Sequence, residues 1–135
     1  MKFHVDVNGF ITGVRFYKGT SNTGIHVANL WSSSGTLLAT ATFTNETASG
    51  WQQVNFASPV AVTAATTYVV SYFTSAGNYA QDLNYFANGV NNGPLHAPST
   101  GVAGGNGVYN YGGSSAFPAD TWQGSNYWVD VVFHP

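Results

Sequence analysis

Charge is what this sequence has least of. Asp, Glu, Lys and Arg together make up 6% of 135 residues, against about 25% in an average domain. The only cations, Lys2, Arg15 and Lys18, come early, and from Gly19 to Pro135 there is no Lys or Arg. A nucleic-acid binder neutralises phosphates with a basic footprint. Nucleic acid, phosphorylated ligands and anionic membranes are therefore not expected partners. Cysteine is absent, which excludes disulfides and thiolate chemistry and leaves the core to hold the fold. No apolar run approaches the roughly 20 residues needed to span a bilayer, so membrane insertion is not expected. The start, MKFHVDVNG, lacks the apolar stretch of a signal peptide, and the chain is expected to be a piece of a larger protein. No GxSxG elbow and no HExxH pair occurs. A carbohydrate hydrolase would have to pair Asp82 with Asp120, or set His96 against one of them. Catalysis is not expected.

What is present is strand grammar. The length suits one domain, 1–135, with a real core. Lys2 to Val7 alternates, with Phe3, Val5 and Val7 on one face and Lys2, His4 and Asp6 on the other. Asn8-Gly9 is a strong hairpin signal, with Phe10 to Tyr17 as the return strand. Ile25 to Ser32, Thr36 to Phe43 and Trp51 to Ala57 follow, the last ended by Ser58-Pro59. Thr67 to Thr74, β-branched and aromatic, should lie centrally. Tyr127 to Phe133 closes the chain. Short strands with Gly/Asn turns and no capped helical period indicate an all-β, antiparallel two-sheet β-sandwich of jelly-roll type. The first and last strands are expected to pair.

Residues 75–125 depart from this grammar. They are crowded with Gly, Asn and Pro, yet carry seven aromatic rings, which a disordered linker would not. A long structured loop region in a compact domain is usually functional. Sugars stack C–H faces on Tyr and Trp and bond hydroxyls to Asn, Asp and His, so a ligand platform is expected from Tyr79, Asp82, Asn84, Tyr85, His96, Asn106, Tyr109, Tyr111 and Trp122. The plainer reading is that these rings pack the loop onto a sheet. Asp82, beside Asn84 in a turn-rich segment, could hold a structural calcium ion with loop carbonyls, or simply cap a turn. His4 and Asp6 share one strand face, and Asp130 and His134 another. If those strands paired, the four would suit zinc or copper; otherwise they are solvated strand faces.

The pieces GFITGVRFYKG, NTGIHVANLWSSSGTLLATATFTNETASGWQQVNFASPVAV, TTYVVSYF, YFANGVNNGPLHA, GGNGVY and SNYWVDVVF resemble the bacterial extracellular family catalogued as domain of unknown function 4082. The resemblance covers nearly the whole chain. It implies a secreted module found beside immunoglobulin-like and carbohydrate-active domains in large proteins. It implies no catalytic residues. His26, in a GxHxxxLW piece, and His96, in GPLHA, belong to the family pattern, whereas His4 departs from it. The expected function is a non-catalytic extracellular accessory module binding a neutral glycan. The alternative is a structural spacer or self-associating adhesion unit that touches neighbouring extracellular domains or its own copies.

Overall fold

A computed structural model describes residues 1–135. Its strands are β1 (Lys2–Val5), β2 (Gly9–Lys18), β3 (His26–Ser32), β4 (Leu37–Thr42), β5 (Gly50–Val62), β6 (Tyr68–Thr74), β7 (Val90–Asn92), β8 (Leu95–Ala97), β9 (Val108–Tyr109), β10 (Asp120–Thr121) and β11 (Val129–His134). The sole helical element is a 3-10 turn, Tyr85–Ala87. One sheet has six strands in the order β4-β3-β6-β1-β8-β7, a second has three, β11-β2-β5, and β10 and β9 form a separate two-stranded pair. All pairings are antiparallel. The all-β antiparallel sandwich expected from alternation is the fold found.

The core follows from period two. Inward positions of β1 (Phe3, Val5), β2 (Ile11, Val14, Phe16), β3 (Ala28, Leu30), β6 (Val70) and β11 (Val129, Val131) form one buried cluster. Burying each Val, Leu, Ile or Phe of this set contributes about 1.5–3 kcal/mol. β6 sits inside the larger sheet between β3 and β1, as its two apolar faces require.

Three local expectations are corrected. Asn8-Gly9 does not close a hairpin, because β1 pairs with β6 and β8 while β2 pairs with β11 and β5. The chain crosses from one sheet to the other there. The first and last strands do not pair either, since the partner of β11 is β2. Ser58-Pro59 does not end β5, which runs on to Val62. The pairing jumps from Gly13↔Asn55 to Ile11↔Val60, so Pro59 lies in a bulge on an edge strand, where its missing N–H breaks no ladder bond.

Residues 75–125 fold back as a cover. Trp31 points away from the main core and packs with Val69, Val108 and Phe117. Four backbone bonds tie Asp82, Asn84 and Phe86 to Gln123, Gly124 and Asn126, and Phe86 is buried. Gly107 has φ +74°, and a Cβ there would lie 2.0 Å from the Ser125 carbonyl oxygen. Only glycine permits that crossing.

Candidate functional site

β6 carries Tyr72 at the margin of the core, stacked on Phe16 with ring centroids 4.4 Å apart. Beyond it the chain turns at Gly77 and brings up Tyr79. β9 delivers Tyr109, the following loop Tyr111, and the approach to β11 Tyr127. These rings meet edge to face: Tyr79 to Tyr127 at 5.4 Å, Tyr109 to Tyr111 at 5.4 Å and Tyr109 to Tyr127 at 6.1 Å. The hydroxyls of Tyr79 and Tyr111 lie 2.7 Å apart. Together they wall a cavity of about 150 Å³ floored by β6. Tyr111 is 71% exposed and Tyr79 37%, so the walls reach solvent. No Asp, Glu, Lys or Arg side chain lines it.

The Tyr72 hydroxyl is buried and finds no partner within the protein. Burial raises its pKa beyond the ordinary tyrosine range. Tyr79 is pushed up to about 12, first by its hydrogen bond to Tyr111, then by burial and by the neighbouring phenols. Burial also raises Tyr127. These three hydroxyls are therefore neutral at any physiological pH.

A consequence for stability follows. The Tyr72 pKa lies above its unfolded value of about 10, so the unfolded chain gives up this proton first. The stability it contributes is full below pH ~10 and falls as pH rises above it, at up to about 1.4 kcal/mol per pH unit. Tyr72→Phe is expected to change stability at pH 7 by less than about 1 kcal/mol. Above pH ~10 the variant should lose stability less steeply than the native chain. Urea unfolding at pH 7 and pH 11 measures both, and equal alkaline loss would contradict the buried-phenol account.

The nine residues read from sequence do not form one surface. Tyr79, Tyr109 and Tyr111 come together at the cavity. Asp82 and Tyr85 lie elsewhere, around Trp128: its indole Nε1 donates to Asp82 Oδ2 at 2.7 Å, and the Tyr85 ring lies 5.3 Å from it. Asn84 has φ 58° and starts the 3-10 turn, so its part is conformational. Trp122 is 58% exposed and does not line the cavity. His96 lies on β8 opposite His4. Asn106 is corrected outright. It is 1% exposed, its Oδ1 accepts from the Lys2 and Gly107 amides, and its Nδ2 donates to the Lys2 and Pro98 carbonyls. No capacity is left for a ligand.

Sequence reasoning missed Tyr72 and Tyr127, which sit in or beside strong strands and read as core. The available signal was the hydroxyl itself, which needs a partner when buried. The four-residue histidine grouping is also corrected: Asp130 pairs with Arg15 across β11 and β2, whereas His4 and Asp6 meet His96.

A family model described as "Domain of unknown function (DUF4082)" matches residues 1–129. No curated protein and no solved structure matches the chain.

Proposed function

The chain belongs to the family described as domain of unknown function DUF4082, and we propose that it is a non-catalytic binding module for a neutral glycan. One observation carries this reading. The cavity offers five tyrosine rings and their hydroxyls, with no charged side chain among its walls. Rings with apolar faces and neutral polar tips suit a ligand with C–H faces and hydroxyl edges. A charged ligand would find no side chain there to pair with its charge. The absence of Lys and Arg after Lys18 supports a neutral partner on the rest of the surface as well. The reading includes an extracellular setting within a larger protein, which the family resemblance implies and with which the low charge content agrees.

Isothermal titration against a panel of uncharged soluble oligosaccharides tests it. At least one is expected to bind saturably at one site. Tyr111→Ala, which removes the most exposed wall, should weaken that affinity tenfold or more, about 1.4 kcal/mol. Silence across the panel, or unchanged affinity in Tyr111→Ala, would overturn the proposal.

A further inference from the structure

A second constellation stands apart from the tyrosine cavity, on the six-stranded sheet. β1 and β8 pair with His4 directly opposite His96. Phe3 and Val5 point into the core, so alternation turns His4 and Asp6 to the opposite face. The His4 and His96 rings stack, 5.0 Å between centroids and 18° between planes. His4, Asp6 and His96 each offer a ligand atom, and these atoms lie within 4.8 Å of one another.

The hydrogen bonds of His96 pose a chemical question. Its Nδ1 faces Asn91 Oδ1 at 2.6 Å, and its Nε2 faces Asp6 Oδ2 at 2.7 Å. Asn91 lies directly across the β7–β8 ladder from His96, so the contact is built into the sheet. With the amide oxygen assigned to that side, which only accepts, Nδ1 carries the proton. In the neutral ring Nε2 is then a bare lone pair, aimed at a carboxylate oxygen that is also an acceptor. Two acceptors in contact need a cation between them, either a proton or a metal ion.

We propose that His4, Asp6 and His96 form a binding site for a divalent transition-metal ion of the zinc type. Two imidazoles and one carboxylate are the donor set such ions take, with a further position open to water. Ligating histidines donate their second ring nitrogen to an outer acceptor that sets tautomer and orientation, and Asn91 occupies that role at His96. Bond lengths of about 2.0–2.2 Å put neighbouring ligand atoms of a tetrahedral ion roughly 3.3 Å apart. The Nε2–Asp6 contact has to open by about half an ångström, and small side-chain rotations suffice. Asp6 is exposed, with a side chain 59% accessible, which gives an ion its way in. The hard, oxygen-only preference of calcium does not match two imidazoles.

Titration of the untagged full chain with zinc chloride tests this, with cobalt(II) as a spectroscopic probe. One ion per chain is expected, with a dissociation constant in the micromolar range or tighter. Cobalt should give the visible absorption of a four- or five-coordinate N/O site. His96→Ala and Asp6→Asn should each weaken zinc binding at least tenfold. Asn91→Ala, which touches only the outer acceptor, should weaken it about tenfold or more. Thermal unfolding without metal shows that each variant is folded. Binding weaker than millimolar, or affinity indifferent to His96→Ala, would overturn the proposal and leave a proton between Nε2 and Asp6. Oligosaccharide binding at the tyrosine cavity should be unchanged in His96→Ala, so the two readings fail independently.

Discussion

Asn106→Ala is expected to cost about 3–5 kcal/mol of stability, a fall of roughly 10–20 °C in melting temperature. The side chain makes four bonds, all to backbone groups, at 2.7–3.1 Å. It joins the loop leading to β9, in which it lies, to β1 and to the segment after β8, 104 and 8 residues away in sequence. Alanine removes all four and leaves the Gly107 amide and the Pro98 carbonyl buried without partners. Each such orphan costs about 1–3 kcal/mol. The Lys2 end is less enclosed, so water recovers part of its loss. Asn106→Asp keeps the two acceptor bonds but replaces two donors by a buried carboxylate, and should be no better tolerated. Denaturant unfolding measures both. A loss below about 1 kcal/mol in Asn106→Ala would mean that the loop region is anchored by something else.

Glu46→Ala is the second large effect, also about 3–5 kcal/mol. His26 is completely buried in β3, packed on Phe16 at 4.8 Å. Its Nδ1 lies 2.9 Å from Glu46 Oε1, and Lys18 Nζ lies 3.1 Å from the same oxygen. On its other side, Nε2 reaches Asn22 Oδ1 at 2.8 Å, and Thr74 donates to that oxygen at 2.6 Å. Among the Lys and Arg side chains Lys18 is the one mostly buried, and Glu46 is its counter-charge. Deleting the carboxylate strands an ammonium in a low-dielectric setting, which is the costly case. Glu46→Gln should cost less, because the amide oxygen still accepts. A triple change to apolar residues, Lys18→Met with His26→Phe and Glu46→Leu, should recover much of the loss, because no buried charge then remains. If Glu46→Ala alone costs under about 1 kcal/mol, the network is screened by solvent and the burial account of it is wrong.

The strands were legible because each inward residue repeats every second position, and that pattern is local. Partners were not legible. Asn8-Gly9 has the chemistry of a hairpin turn, but nothing nearby says that the flanking strands belong to different sheets. Pro59 reads as a stop until β5 is known to be an edge strand. The same limit applies to sites. Tyr79, Tyr109 and Tyr111 were readable as a group because ring density in a Gly/Asn-rich stretch is a composition signal. Asn106 carries the same signal and does the opposite work, since only the fold brings the Lys2 backbone across it. His4 and Asp6 could be placed on one strand face from alternation, yet His96 is 90 residues from Asp6. Sheet pairing alone brings it to them. His26 was visible as part of a pattern, while its role as a buried link to Glu46 and Lys18 was not.

The measurement that bears most directly on a neutral-ligand cavity is NMR mapping of ring resonances during titration with an uncharged oligosaccharide that binds. Shifts are expected at Tyr79, Tyr109, Tyr111 and Tyr127, with Trp122, Trp51 and Trp128 left in place. Shifts confined to the tryptophans, or a bound ligand that moves none of the four tyrosines, would contradict it.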